Sequence, residues 1–145
     1  MQTLKADILS GIDPNRLTII LHGCNCFHIM GAGIAGYLAK KFPEVLKADR
    51  TTIRGSIEKL GSLSIATLNQ NLYVVNCYTQ YSPGADAKLE YVDQCLNNFV
   101  KFGRLGEADI RLPKIGCGIG GLKWVKVEPI FDKYLSTFPA KVYYI

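Results

Sequence analysis

The chain has 145 residues, of which 48% are hydrophobic and 20% charged, and its formal net charge is +5. This length and composition predict one globular domain covering residues 1–145. The sequence lacks both an apolar leader and the roughly 20 consecutive apolar residues of a membrane span, and its five cysteines are an odd number. We therefore expect a cytoplasmic monomer in a reducing setting, with no membrane partner.

Apolar periodicity predicts the elements of the N-terminal half. Alternation at 3–9 indicates a half-buried strand, and a turn cluster follows at 11–15. The continuous apolar run at 17–21 is typical of a strand that is covered on both faces. Helical spacing then runs from Ile34 to Phe42, Pro43 breaks it, and a short helix follows at 44–49.

The C-terminal half continues the alternation of strands and helices. Two β-rich runs at 63–68 and 72–78 flank a short Asn/Gln turn and predict a hairpin. The remaining predicted elements are a helix from Leu89 that stops at Gly103 or Gly106, a strand at 110–115, a helix at 124–138 and a strand at 141–145. This order predicts an α/β fold, with a mixed sheet covered by helices on both faces.

Two of the predicted strands run into glycine-rich loops that lead into helices, at 31–36 and 116–121. Ligands of such sheets bind beyond the carboxyl ends of the strands, and helix N-termini attract anions. Two loops of this kind side by side would hold a diphosphate from both flanks. The dispersed surplus of Lys and Arg favours a phosphorylated ligand or weak nucleic-acid contact, although it is equally typical of a soluble surface. The sequence is therefore compatible with a nucleic-acid partner but does not indicate one.

The first loop literally matches G-x-G-x-x-G, the fingerprint of dinucleotide-binding Rossmann units. Nine residues separate the end of the strand at Leu21 from Gly31, whereas the Rossmann turn is immediate. The acidic residue expected about 20 positions later would fall in the helical region around Asp49. We therefore reject the Rossmann interpretation, and no lysine follows either loop in the pattern of a nucleotide-hydrolysing phosphate loop.

A zinc site is one interpretation of four alternating residues, which are His22, Cys24, Cys26 and His28. Four ligands at every second position of one strand are spread too far to converge on a single ion, so we predict no metal and no cofactor. Buried cysteines that act as small hydrophobic residues are the simpler interpretation.

Several polar residues near the loops have both a structural and a functional interpretation. His22 is either satisfied by backbone at a strand end or placed beside the anion to move protons. Asn25 is either a turn former or a ligand of a sugar hydroxyl. Asp7 is either a turn carboxylate or an acceptor for an exocyclic amine. A thiolate at Cys117 would be stabilised by the N-terminus of the helix that follows, but the sequence pairs no base with it, so a small residue in a tight loop is the simpler interpretation. Trp124 and Tyr78 are either aromatic residues of the core or rings on which a ligand stacks.

At these positions the sequence resembles the macro domain, a three-layer α/β/α fold with a mixed central sheet that binds ADP-ribose. Residues 5–8, KADI, resemble the family's strand end whose Asp accepts the adenine amino group. Residues 30–35, MGAGIA, and 112–119, LPKIGCGI, followed by Leu122 and Trp124, resemble the two loops of the branch that contains the terminal ADP-ribose protein glycohydrolases and the yeast ADP-ribose 1″-phosphate phosphatase. The resemblance implies these ligand-binding residues: Asp7, Ile8, Met30, Gly31, Ala32, Gly33, Ile34, Ala35, Tyr78, Thr79, Gly116, Cys117, Gly118, Ile119, Gly120 and Leu122.

Two departures from that branch bear on chemistry. The glycohydrolases use a lysine after the central strand and an aspartate in the second loop, where this chain has Tyr78-Thr79-Gln80 and Gly120. By contrast, residues 22–26, HGCNC, closely resemble the phosphatase group. The resemblance therefore implies an ADP-ribose 1″-phosphate phosphatase in which His22 acts on the phosphate and Asn25 orients the distal ribose. The alternatives are a non-catalytic ADP-ribose reader and a glycohydrolase that works without a lysine adduct.

Overall fold

The computed structural model describes residues 1–103 and 105–145. One six-stranded sheet runs through the chain, and its strands are β1 (Gln2–Lys5), β2 (Thr18–Cys24), β3 (Leu63–Asn69), β4 (Leu72–Tyr78), β5 (Asp109–Leu112) and β6 (Ala140–Tyr144). Their order in the sheet is β1-β6-β5-β2-β4-β3. The β3–β4 hairpin is antiparallel and every other pairing is parallel. The predicted mixed sheet is confirmed.

Helices cover both faces of the sheet. They are α1 (Gly33–Lys41), α2 (Pro43–Asp49), α3 (Leu89–Phe99) and α4 (Trp124–Leu135), with a 3₁₀ turn at Ile57–Lys59. None of the helices in the described part of the chain is long and apolar enough to cross a membrane. The predicted three-layer α/β/α architecture is confirmed.

The sheet separates two apolar cores, and strand alternation decides which residue enters which core. Ile19 and Leu21 of β2 pack with buried residues of α3 and α4, whereas Ile20 packs with Leu38 of α1 and Val45 of α2. On α3, the buried residues Val92, Cys95, Leu96 and Phe99 follow helical spacing. The doubly covered strand predicted at 17–21 is thus explained by cores on both of its faces.

Three strands end three or four residues away from the sequence-based prediction, and the other strand boundaries agree with it to within one residue. β1 ends at Lys5 because Asp7 caps a turn, accepting the Leu9 N–H on Oδ1 at 2.8 Å. β5 ends at Leu112 because Pro113 has no N–H, and the Ile115 amide turns back to the Pro113 carbonyl at 2.8 Å. β2 continues three residues beyond Leu21, to Cys24, because it keeps its parallel register with β4. The last difference moves His22 inside the strand.

Candidate functional site

A cavity of about 280 Å³ opens where the carboxyl ends of β2, β4 and β5 meet the two glycine loops. We call it the glycine cleft. The described residues of its lining include eleven that the sequence analysis predicted: Asn25, Gly31, Ala32, Gly33, Ile34, Ala35, Thr79, Gly116, Gly118, Ile119 and Gly120. The structure therefore brings both glycine loops to one site, as their positions after parallel strands require.

A second cavity of about 460 Å³ adjoins the glycine cleft, and we call it the tyrosine pocket. Its lining includes the predicted residues Asp7 and Ile8 together with Tyr37, Tyr143 and Tyr144. The two cavities share four lining residues, which are Gly33, Ile34, Pro113 and Lys114. An elongated ligand can therefore occupy both cavities at once.

The first loop is shaped by close backbone packing at the start of α1. A Cβ on Gly36 would lie 2.9 Å from the Gly31 carbonyl carbon, so only glycine lets the loop fold this tightly against the helix. Gly33, the first helical residue, has a φ of 60°. The first N–H groups of α1 have no partner within the helix, and they lie at its positive end. The cleft is thus provided with anion-binding groups from the backbone.

The second loop closes on itself in the same way. The Leu122 amide donates to the Gly116 carbonyl at 2.8 Å. A Cβ on Gly120 would lie 2.8 Å from that same carbonyl oxygen and 3.0 Å from the Ala87 side chain. Gly118, at the tip, has open space around its Cβ position. Three of the four residues of this loop that line the cleft are glycines, so the loop approaches the cleft mainly with backbone, which leaves room for a bulky anion.

The tyrosine pocket combines aromatic walls with one carboxylate. Asp7 accepts the Leu9 amide on Oδ1 at 2.8 Å and the Tyr37 hydroxyl on Oδ2 at 2.7 Å. The Leu9 amide first, and the Tyr37 hydroxyl second, lower the pKa of Asp7. The pocket therefore presents an ionised hydrogen-bond acceptor at neutral pH.

Three polar residues lie at the end of the glycine cleft away from the tyrosine pocket. The Asn25 amide closes its own loop, accepting the Phe27 N–H and donating to the Ile29 carbonyl, both at 2.9 Å. Gln80 donates to the carbonyls of Ser82 and Gly84 at 2.8 Å and fixes the loop that follows β4. Thr79 is almost fully buried, and its Oγ1 has no hydrogen-bond partner among the described residues.

The sequence predicts a role for His22 at the phosphate, but His22 is not among the residues that line the glycine cleft. It lies inside β2, with no exposed surface, and points to the α1–α2 side of the sheet. Its Nε2 lies 2.6 Å from Oδ1 of Asn76, whose amide nitrogen donates to the Val45 carbonyl and to Ser64. The imidazole therefore donates from Nε2. Burial lowers the pKa of His22 to about 4, so the ring is neutral.

Four other residues predicted to contact a ligand also have side chains outside both cavities. Tyr78 is buried beneath α2, where its hydroxyl donates to Asp49 at 2.7 Å, and burial raises its pKa. Met30 packs against the α1–α2 core, while Cys117 and Leu122 pack against the α3–α4 core. Burial raises the pKa of the Cys117 thiol, which argues against a thiolate. Their positions follow from packing that the loop motifs do not reveal.

The structure adds functional candidates that the sequence analysis did not select. Tyr37 lies on α1, and only the hydrogen bond from its hydroxyl to Asp7 indicates a functional role. Tyr143 and Tyr144 reach the tyrosine pocket from β6. Lys114 lies at the junction of the two cavities. Lys114 could have been selected from the sequence, because it lies within the motif of the second loop, residues 112–119.

The alternating His and Cys residues do not form a metal site. Within residues 1–103 and 105–145, no three His, Cys, Asp or Glu side chains are grouped so that they could hold an ion. Cys24 lies 3.7 Å from Nε2 of His22, and burial raises the pKa of its thiol. Cys26 is fully buried and donates to the Gln80 carbonyl. These cysteines pack as neutral thiols.

The sequence profile described as Macro domain matches residues 21–131. The chain is 42% identical over 139 residues to the "Uncharacterized 17.5 kDa protein in tk-vs intergenic region" of Enterobacteria phage T4, covering 92% of this chain and 88% of that protein. It is 31% identical over 123 residues to the DNA ADP-ribosyl glycohydrolase of Mycobacterium tuberculosis, covering 82% of this chain and 34% of that protein. It is 24% identical over 155 residues to the ADP-ribose 1″-phosphate phosphatase of Lodderomyces elongisporus, covering 98% of this chain and 96% of that protein.

Solved structures show the same fold. A protein of unknown function from Bacteroides thetaiotaomicron superposes with a TM-score of 0.86 at 28% identity, covering 98% of this chain and 96% of that chain. A macrodomain protein from Streptomyces coelicolor superposes with a TM-score of 0.80 at 22% identity, covering 99% of this chain and 98% of that chain. The chain spans about a third of the glycohydrolase relative but nearly all of the phosphatase relative.

Proposed function

The chain belongs to the macro domain family, and on that premise we propose that its two adjoining cavities bind ADP-ribose and derivatives substituted at the 1″ position. The observation that carries the proposal is the sharing of Gly33, Ile34, Pro113 and Lys114 between the tyrosine pocket and the glycine cleft. A ligand that joins an aromatic base to a diphosphate matches this arrangement of an aromatic pocket and an amide-lined cleft.

The adenine is proposed to occupy the tyrosine pocket. Its ring packs against apolar and aromatic surface from Ile8, Tyr143 and Tyr144. Its 6-amino group donates to the carboxylate of Asp7, which the Leu9 amide and the Tyr37 hydroxyl keep ionised. A charged acceptor strengthens this bond. Asp7 thereby selects a base that has an amino group at this position.

The diphosphate is proposed to lie in the glycine cleft between the two loops. The first N–H groups of α1 point to the anion from one side, and the glycine backbone of the second loop approaches it from the other. Because several lining positions have no Cβ, the amides can come within hydrogen-bonding distance of the phosphate oxygens. The distal ribose then reaches the end of the cleft where Asn25, Thr79 and Gln80 lie.

We further propose hydrolysis of ADP-ribose 1″-phosphate to ADP-ribose and phosphate. The support is the likeness to a phosphatase over nearly the full length of both chains. Cys24 and Lys114 are the only ionisable side chains among the described residues of the glycine cleft, so no imidazole or carboxylate acts there as a base. Phosphoryl transfer needs mainly positioning and charge stabilisation, which the backbone supplies. We expect slow turnover: the water oxygen bonds to phosphorus, the P–O1″ bond breaks, and one proton of the water passes to the leaving 1″ oxygen, which becomes the hydroxyl of ADP-ribose.

A phosphate-release assay with ADP-ribose 1″-phosphate tests this activity. The expected result is saturable release that ADP-ribose inhibits by competition. ADP-ribose binding without release would contradict the hydrolysis and leave a reader of ADP-ribose. The assay is best run beside one with ADP-ribosylated DNA, because 31% identity to a DNA ADP-ribosyl glycohydrolase favours de-ADP-ribosylation as the second candidate function. Release of ADP-ribose from that substrate alone would replace the phosphatase with the glycohydrolase.

A further inference from the structure

Lys114 places a cation at the junction of the two cavities. Its side chain is half-buried and lines both of them. The ammonium lies 4.8 Å from the ring centroid of Tyr144 and 5.6 Å from that of Trp124. Both distances are within the range of cation–π attraction. The two rings therefore hold the Lys114 ammonium at this point.

The rings fix this charge without neutralising it. Among the described residues, no carboxylate lies within 4.0 Å of the Lys114 ammonium, whereas Arg111 and Lys133 both have carboxylate partners. Lysine has three N–H donors, and an aromatic face satisfies none of them as an anion would. The junction is consequently prepared for an anionic group that the protein does not itself supply.

The proposed binding mode says which part of the ligand meets this charge, and the inference rests on that proposed function. With the adenine in the tyrosine pocket and the diphosphate in the glycine cleft, the adenosine ribose must cross the junction. Its 2′ and 3′ hydroxyls are the positions at which it can bear a further group. ADP-ribose has no anion on this sugar, so within its complex the only anion that Lys114 can meet is the diphosphate in the adjoining glycine cleft.

We propose that Lys114 is a specificity-determining residue that selects ligands with a phosphate on the adenosine ribose. The ligand class is ADP-ribose phosphorylated at the 2′ or 3′ hydroxyl. A phosphomonoester there accepts hydrogen bonds from the ammonium, which is a charge-assisted contact. Since the site is partly open to solvent, the gain in affinity over ADP-ribose is modest, about 3- to 10-fold.

The test is calorimetric titration of the full chain with ADP-ribose, 2′-phospho-ADP-ribose and 3′-phospho-ADP-ribose. The readout is the ratio of dissociation constants between ADP-ribose and each phosphorylated ligand. For the wild-type chain the ratio is expected to be about 3 to 10 for one isomer and to shrink at high salt. The difference between the two isomers identifies the hydroxyl that faces Lys114.

Two variants isolate the residue. Lys114→Gln is expected to bring the ratio to about 1, because the charge is gone. Lys123→Gln removes the same charge from an exposed residue that lines neither cavity, and the ratio is expected to stay at its wild-type value. Lys114→Arg keeps the charge and is expected to keep most of the preference.

The outcomes separate this inference from the proposed function. If the wild-type chain does not bind ADP-ribose, the proposed function itself fails. If it binds ADP-ribose but neither phosphorylated isomer binds more tightly, the selection by Lys114 is overturned. A preference that persists in Lys114→Gln also overturns it. If Lys114→Gln fails to fold, a wild-type ratio of about 1, a ratio that does not shrink at high salt, or a preference lost in Lys114→Arg still overturns the selection.

Discussion

The Nε2 nitrogen of His22 lies 2.6 Å from Oδ1 of Asn76, and this buried hydrogen bond turns the imidazole away from the glycine cleft. Asn76 in turn donates to the Val45 carbonyl at 3.1 Å and to Ser64 at 3.0 Å, so the pair links β2 and β4 to α2 and β3. His22 therefore contributes to the packing of the sheet against its helices, and its substitution should be measured first as a change in stability.

His22→Ala is expected to lower the free energy of unfolding by about 2–4 kcal/mol, because it leaves a cavity and an unsatisfied Asn76 oxygen. Urea denaturation of His22→Ala, Asn76→Ala and the double variant measures this, and the double variant should cost less than the sum of the two single ones. An unchanged denaturation midpoint together with loss of phosphate release would restore His22 to the mechanism.

The same burial makes stability depend on pH. Burial lowers the pKa of His22 from 6.5 to about 4 in the folded chain. As pH falls below 6.5, the unfolded chain takes up this proton first, so stability is complete above 6.5 and is lost between 6.5 and 4, by about 3 kcal/mol. Urea denaturation at pH 7 and 4.5 is expected to show a smaller difference for His22→Gln than for the wild type. Equal pH dependence in the two proteins would contradict this.

The second glycine loop offers a matched pair of substitutions. Gly120→Ala would place its Cβ 2.8 Å from the Gly116 carbonyl oxygen, whereas Gly118→Ala meets nothing within 4 Å. We expect Gly120→Ala to destabilise the chain by about 1–3 kcal/mol and Gly118→Ala to change stability by less than about 0.5 kcal/mol. Thermal denaturation of both variants checks this. Similar melting temperatures for the two would show that the loop relaxes freely.

Asp7 should decide which base is accepted. With wild-type protein, we expect ADP-ribose to bind about tenfold more tightly than its hypoxanthine analogue, which has a carbonyl in place of the amino group. Asp7→Asn should reduce this preference, because an amide can donate as well as accept. The control is Asp13→Asn, whose carboxylate accepts the Asn15 amide in an exposed turn. Competition titrations that give the same preference for all three proteins would remove Asp7 from base recognition.

Much of the fold was predictable because its signals are local. The apolar run at 17–21, the hairpin turn at 69–71 and the glycines after two strands each specify an element with little help from the rest of the chain. The position of both loops at one edge of the sheet follows from the parallel topology. For this reason the sequence was enough to bring both loops to the cleft, although Met30, Cys117 and Leu122 of the same motifs pack against the cores instead.

The direction of single side chains was less predictable. The strand containing His22 could not be seen to continue through Cys24, because its pairing with β4 is a long-range contact. The three additional strand residues, 22–24, place His22 inside the strand, where the alternation of side chains between the two faces turns it into the core. The Tyr37–Asp7 hydrogen bond likewise joins residues 30 positions apart. Neither relationship has a local signal.

The claim that two cavities act as one ligand site is tested most directly by calorimetric titration of the wild-type chain with ADP-ribose. We expect one site per chain and a dissociation constant below about 100 µM, equivalent to more than roughly 5 kcal/mol. Adenosine and ribose 5-phosphate, which each fill a single cavity, should bind far more weakly in the same titration. Absence of heat at millimolar ADP-ribose, or adenosine binding as tightly as ADP-ribose, would contradict the account.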